Sequence, residues 1–190
     1  MDSVSRFRQS LDFGKAAESK IAMWMIRNGW SVLPVYEKII NEGKGPQVFT
    51  PDGGVIAPDL FVFRGKMALW IEAKHKTTFT YYRNGRRWTT GIDRRHYIDY
   101  CKIDDESPWP VCLYFLHLGG KDKDTGEESP SGLFGNYLSY LRANESHQSD
   151  RMGKSGMVYW AIDSLEKLAS LEQIDGEIEQ EEDLLLYALS

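Results

Sequence analysis

The chain has 190 residues, of which 42% are hydrophobic and 13% aromatic, and its formal net charge is −5. This composition fits one globular domain with a buried core, and no apolar run is long enough for a transmembrane helix. The first residues lack the apolar core of a secretory signal, and Cys101 and Cys112 lack the spacing of a zinc site or a disulfide scaffold. We therefore expect a cytoplasmic protein with no membrane partner.

The net charge conceals a strong asymmetry along the chain. Residues 64–102 contain ten Lys or Arg and three Asp or Glu, a net charge of +7, whereas the remainder has a net charge of −12. A basic block interleaved with aromatic residues is typical of a surface that binds a phosphate backbone. The alternative, a solvated charged face without a ligand, is about as frequent.

The first predicted element is a helix over residues 14–28, with an apolar stripe at helical spacing that ends before Gly29. A strand is predicted over residues 30–36, where Pro34 favours the edge of a sheet. Residues 37–54 are polar and glycine-rich, so we expect a loop or an irregular insertion there.

Two apolar runs, residues 56–63 and 68–74, predict buried strands joined by a hairpin around residues 64–66. These strands carry Asp59, Glu72 and Lys74, although burial of unpaired charge is costly. Glu72 and Lys74 are two residues apart, so they share one face of their strand. Two acids and a lysine that converge at one sheet edge predict a divalent-metal site with a base or a charge clamp beside it.

The central part of the chain predicts a hairpin, a helix and a strand. Asn84-Gly85 lies between β-prone flanks in residues 77–92, which indicates a hairpin that is either a flap over substrate or an ordinary exposed turn. Asp93 is a suitable N-cap for a helix to about residue 102. The apolar run of residues 111–116 predicts a central strand.

For the last third we expect a loop over residues 119–132, a short helix over 133–142 and a flexible segment over 144–156. Residues 157–162 predict a strand, and Asp163 or Ser164 would cap a helix through residue 171. The end of the chain has six acids and no basic residue from Asp175 onwards.

The predicted order gives an α/β fold, a small mixed β-sheet flanked by helices, with a β-hairpin insertion and an acidic C-terminal tail. We expect one domain over residues 1–172 and the tail over residues 173–190.

The set Gly14-x-x-x-Glu18, Pro58-Asp59 and Glu72-Ala73-Lys74 resembles the motifs of the PD-(D/E)xK nuclease superfamily, which has the restriction-endonuclease-like fold. The front half of the chain looks most like Holliday junction resolvases. The resemblance covers about residues 14–116, and its strength lies in the order and spacing of motifs that are individually short.

The resemblance implies roles for these residues. Asp59, Glu72 and the carbonyl of Ala73 would hold Mg²⁺ or Mn²⁺, hard ions that prefer oxygen ligands. Lys74 would orient or deprotonate the attacking water, and Glu18 would hold a metal-bound water or support a second ion.

The following helix contributes further candidates. His96-x-x-x-Tyr100 stands where RecB-like members have Gln-x-x-x-Tyr. Its i, i+4 spacing places both residues on one helix face. They are either auxiliary residues of the site, or a surface histidine and a core tyrosine without a catalytic role. We expect the DNA contacts to come from the basic residues around the site, namely Lys76, Arg83, Arg86, Arg87, Arg94 and Arg95.

The sequence predicts a metal-dependent DNA endonuclease or junction resolvase, with DNA as its partner and homodimerisation conceivable. Two alternatives stay open: a non-catalytic nucleic-acid-binding module with the same fold, and an RNA-cleaving relative.

Overall fold

The structure is a computed structural model that describes residues 16–35, 46–51, 53–122, 125–153 and 155–175. Its centre is a six-stranded mixed sheet in the order β1-β4-β5-β8-β11-β14. These strands are β1 (Ser31–Pro34), β4 (Leu60–Arg64), β5 (Met67–Lys76), β8 (Val111–His117), β11 (Gly132–Tyr137) and β14 (Glu166–Ala169). Strands β5 and β8 pair in parallel, and the other neighbours are antiparallel.

A second sheet of four antiparallel strands has the order β12-β13-β7-β6. It consists of β6 (Thr80–Tyr82), β7 (Arg87–Asp93), β12 (Glu145–Ser149) and β13 (Met157–Ala161). Two small hairpins complete the strands, β2 (Gln47–Thr50) with β3 (Gly53–Ile56), and β9 (Gly120–Lys121) with β10 (Glu128–Ser129).

The helices cover opposite faces of the central sheet. Helix α1 (Ala16–Arg27) buries Ile21, Ala22 and Met25 against one face. Helix α2 (Arg94–Glu106) contributes Tyr100 and Ile103 to a second core on the other face, together with residues of β8, β13 and the short helix α3 (Leu138–Ala143). The predicted fold class, a mixed sheet flanked by helices, is therefore confirmed.

Local signals explain where α1 and α2 begin and end. Helix α1 stops at Gly29, whose φ of 80° is the left-handed conformation that suits a helix C-terminus. Helix α2 begins after Asp93, whose side chain accepts a hydrogen bond from the Arg95 N–H at 3.0 Å, as predicted for an N-cap. No helix in the described residues is long and apolar enough to cross a membrane.

The predicted strands around the site are confirmed. Strand β1 lies at a sheet edge as Pro34 suggested, β4 and β5 form the predicted hairpin, and β8 lies in the interior of the sheet. The Asn84-Gly85 hairpin exists as β6 and β7, but its turn spans four residues. The positive φ (47°) lies at Arg86 rather than in the dipeptide.

This hairpin is part of the second sheet and not a separate insertion, because β7 pairs from Thr89 to Asp93 with β13. Gly91 permits that close pairing, since a Cβ at this position would lie 2.4 Å from the Val158 carbonyl oxygen.

Four other expectations were wrong. Strands β2 and β3 occupy most of the described part of the predicted 37–54 loop, and the expected 133–142 helix is strand β11 followed by α3. The segment expected to be flexible contains β12, and a 3₁₀ turn (Ile162–Ser164) leads into strand β14 where a helix was expected. Pairing between distant segments accompanies these strands: β11 pairs with β8 and with β14, and β12 pairs with β13, while β2 and β3 pair with each other.

Most of the predicted acidic tail lies outside the described residues. Residues 171–175 are helical, and Ile174 is fully buried in the core beneath α1. Asp175 pairs with Lys20 of that helix at 2.6 Å.

Candidate active site

Asp59 precedes β4 and faces β5. The register pairs Leu60 with Ile71, so the next position along places Asp59 opposite Glu72. Residues opposite each other in an antiparallel pair point to the same face of the sheet. The Oδ2 atom of Asp59 accepts a hydrogen bond from the Ala73 N–H at 2.9 Å. The two acids predicted to converge are therefore adjacent.

Glu72 is a buried carboxylate, only 1% exposed, in the middle of the longest strand. On the β8 side its in-register neighbour is the apolar Leu113. Burial raises the pKa of Glu72 to about 7, and the charge of Asp59 adds to this effect while Lys74 opposes it. The Oε1 atom of Glu72 faces the Lys74 ammonium group, and hydrogen bonding from Lys74 and Tyr100 also acts to lower the pKa.

Lys74 contacts Oε1 of Glu72 through its ammonium group, on the same face of β5. Burial alone would lower the pKa of Lys74. The negative charges of Glu72, Asp59 and Glu18 raise it by more than burial lowers it, so the net pKa lies above its ordinary value. Lys74 is therefore an ammonium ion at neutral pH in this arrangement.

Helix α2 lies against the site and directs Tyr100 and His96 towards it. Tyr100 is 1% exposed, and burial followed by the adjacent charge of Glu72 raises its pKa well above the ordinary range. His96 is half-buried, with its ring 6.1 Å from the Tyr100 ring, and burial and then the charge of Lys74 lower its pKa. The i, i+4 spacing thus brings both residues to one side of the site.

Glu18 lies in the first turn of α1, on the opposite face of the sheet from α2. It is half-buried, and its charge is among those that raise the pKa of Lys74. The structure therefore brings Glu18 into electrostatic range of Lys74 from the α1 side.

The predicted DNA-binding residues are distributed over β5, the β6–β7 hairpin and the start of α2. Arg94 is half-buried and pairs with Asp150 at 2.6 Å, so its charge is partly neutralised. Lys76 lies on the same face of β5 as Glu72 and Lys74, and burial lowers its pKa. The exposed basic side chains are Arg83, Arg86, Arg87 and Arg95.

The side chains at the site suit a small divalent cation that keeps several water ligands, and they do not form a complete cage of protein ligands. Within the described ranges no three His, Cys, Asp or Glu side chains form a ligand cluster. Mg²⁺, however, is usually held by one or two carboxylates, with water and substrate phosphate completing the shell. Asp59 and Glu72 supply two adjacent carboxylates, and the buried Glu72, which already faces the Lys74 ammonium, is in a position where a positive charge is favourable.

No protein-family model and no curated protein matches the sequence. Among solved structures, the chain is similar to Archaeoglobus fulgidus Hjc, a Holliday junction resolvase from an archaeal hyperthermophile. The identity is 9%, the match covers 80% of this chain and 90% of Hjc, and the TM-score is 0.48.

The chain is also similar to D212, a nuclease from a fusselovirus. Here the identity is 14%, the match covers 95% of this chain and 97% of D212, and the TM-score is 0.35. Both TM-scores are below 0.5.

One residue beside the site did not stand out in the sequence. Asp99, next to Tyr100 on α2, accepts a hydrogen bond at Oδ2 from the Ile56 N–H at 3.3 Å. A lone acid in a polar helix has no distinctive pattern, and its partner lies 43 positions earlier, at the first residue of the predicted 56–63 strand.

Proposed function

We propose that this chain is a nuclease that hydrolyses DNA phosphodiester bonds with Mg²⁺ or Mn²⁺ at Asp59 and Glu72. The observation that supports this most directly is the convergence of two acids and a lysine on one sheet face, with Glu72 buried there at a raised pKa. A buried carboxylate is costly, and a cation at the site would offset that cost.

The residues have complementary roles in this proposal. Asp59, Glu72 and the Ala73 carbonyl hold the ion, which when bound polarises the phosphate and lowers the pKa of the attacking water. Lys74, protonated, orients that water and offsets negative charge that develops on the phosphorus oxygens. In the structure this ammonium contacts Oε1 of Glu72, so Lys74 already lies beside the carboxylate that would hold the ion.

The remaining residues support this arrangement. Glu18 acts on Lys74 from α1, and the side of α2 that carries the buried Tyr100 and the half-buried His96 covers the site. The exposed arginines of the β6–β7 hairpin and Arg95 extend a positive surface along which the DNA backbone would lie.

The proposal is tested by incubating the purified chain with linear duplex, single strand, fork, flap and four-way junction DNA, and with single-stranded RNA. Reactions contain Mg²⁺, Mn²⁺ or EDTA, and the comparison variant is Asp59→Asn, which keeps the side-chain size and removes the charge. We expect metal-dependent cleavage of DNA by the wild type and none by the variant. Binding of DNA without cleavage under any ion would contradict the proposal and favour a non-catalytic module, and cleavage of RNA alone would contradict the choice of DNA.

A further inference from the structure

The segment that leads into Asp59 is held by hydrogen bonds to other parts of the chain. Residues 57–59 form no strand, although they lie between β3 and β4. Three contacts fix the backbone on either side of Pro58. The Ala57 N–H donates to the Pro46 carbonyl at 2.8 Å, the Val35 N–H donates to the Asp59 carbonyl at 2.9 Å, and the Ile56 N–H donates to Asp99.

Of these three contacts, the bond to Asp99 alone is made by a side chain, and it comes from a different layer of the fold. Asp99 is half-buried on α2, while the other two partners are backbone groups next to β1 and β2. Asp99 therefore connects the helix to the strand that ends just before the catalytic acid.

The same helix also contacts one of the two acids. Tyr100, the next residue, lies beside Glu72, so consecutive residues of α2 reach Glu72 and the backbone three residues before Asp59. Adjacent residues on a helix point about 100° apart, so one faces the sheet while the other faces the β2–β3 hairpin.

We propose that Asp99 is a positioning residue that sets the separation of Asp59 from Glu72 by anchoring the Ile56 N–H to α2. This inference rests on the proposed function, since it concerns how the two acids are placed to share one ion. Loss of the anchor removes the tie between Ile56 and α2. The β2–β3 pairing, the bonds at Ala57 and at the Asp59 carbonyl, and the bond from the Ala73 N–H to Asp59 remain, so Asp59 stays near Glu72 but samples a wider range of positions. Outer partners that orient metal ligands have effects of this kind on affinity and activity.

The test compares Asp99→Ala, which removes the acceptor, with Asp99→Asn, which keeps an acceptor oxygen of the same reach without the charge. Asp105→Ala is the matched control, because it removes an acid of the same helix that pairs at the surface with Arg142 at 2.5 Å. Three quantities are measured for each variant: amide exchange at Ile56, Mn²⁺ affinity by calorimetry, and DNA cleavage with kcat and KM separated.

We expect Asp99→Ala to speed exchange at the Ile56 amide by about 10-fold and to weaken Mn²⁺ binding by about 10-fold or more. We also expect kcat to fall by about 10- to 100-fold with little change in KM, because misplacement of a metal ligand acts on the chemical step. Asp99→Asn and Asp105→Ala should remain within about 3-fold of the wild type in all three quantities.

If Asp99→Asn were as defective as Asp99→Ala, the charge and not the hydrogen bond would matter, and the proposal would be overturned. Unchanged Mn²⁺ affinity in Asp99→Ala, with the Ile56 amide exchanging faster, would also overturn it, since the anchor would then have no effect on the acids. If the wild type cleaves no nucleic acid, the exchange and Mn²⁺ measurements still decide the role of Asp99, so the two failures are distinguishable.

Discussion

Replacement of Glu72 by glutamine should change how stability depends on pH in the absence of metal. Burial raises the pKa of this carboxyl from 4.5 to about 7, which corresponds to about 3 kcal/mol at 1.36 kcal/mol per pKa unit. Between pH 4.5 and 7 the folded state keeps a proton that the unfolded chain has released. The free energy of unfolding of the wild type therefore falls as the pH rises through this window, by up to about 1.4 kcal/mol per pH unit.

Glutamine has nearly the shape of the protonated acid and does not titrate, so Glu72→Gln lacks this contribution. We expect the free energy of unfolding of the variant, minus that of the wild type, to rise by about 2–3 kcal/mol between pH 5 and pH 8. The measurement is urea unfolding in EDTA at four pH values, with the exposed Glu106→Gln as the matched exchange of a carboxylate for an amide. A difference that stays flat or falls with pH would refute the argument that Glu72 is destabilising when ionised.

Addition of Mg²⁺ at pH 8 extends the same experiment. A ligand that binds only the folded state stabilises it by about 2.7 kcal/mol at one hundred times its Kd. Mg²⁺ should therefore stabilise the wild type and leave Glu72→Gln nearly unchanged, because the variant has lost a charged ligand. Equal stabilisation of both proteins would place the ion elsewhere.

Three further outcomes follow from other parts of the structure. His117 stacks on Phe79 with 3.6 Å between the ring centroids, and burial lowers its pKa to about 3. The unfolded chain therefore takes up a proton below about pH 6.5 that the folded state does not, so the free energy of unfolding should fall as the pH falls below this value. His117→Phe should remove much of this acid sensitivity in urea unfolding. Gly91→Ala should lower the free energy of unfolding by about 1–3 kcal/mol, since its Cβ would meet the facing strand's backbone at 2.4 Å, and a wild-type value would contradict the close β7–β13 pairing. The exposed pair Arg86 and Arg87, both changed to Ala, should weaken DNA binding similarly for all sequences and lower the salt slope by about 1–2, whereas an unchanged slope would place the DNA elsewhere.

The elements around the site could be predicted because their signals are local. A continuous apolar run interrupted by charge identified β4 and β5, and the period of two along a strand placed Glu72 and Lys74 on one face. The pairing of Asp59 with Glu72 followed from the short hairpin, since its length limits the possible register. These features depend on residues within about twenty positions of each other.

Strands β11 and β12 could not be predicted in the same way, one in the central sheet and the other in the second sheet. Strand β12 is polar, with His147 and Gln148 at its centre, and becomes a strand through its pairing with β13. Strand β11 contains Gly135, whose missing side chain admits the Tyr114 ring of β8, and glycine lowers strand propensity when read alone. Long-range pairing decided these segments, so only the helix or strand preference of isolated residues was visible in the sequence.

We propose that Lys74, Asp59 and Glu72 together form a metal-dependent nuclease site. The most direct measurement is the initial rate of DNA cleavage in Mg²⁺ for the wild type and Lys74→Ala, with Lys66→Ala as a control at an exposed lysine of the β4–β5 turn. We predict that the wild type and Lys66→Ala cleave at similar rates, that Lys74→Ala is slower by at least about 100-fold, and that EDTA abolishes all three activities. Cleavage by Lys74→Ala at the rate of the wild type would contradict the account.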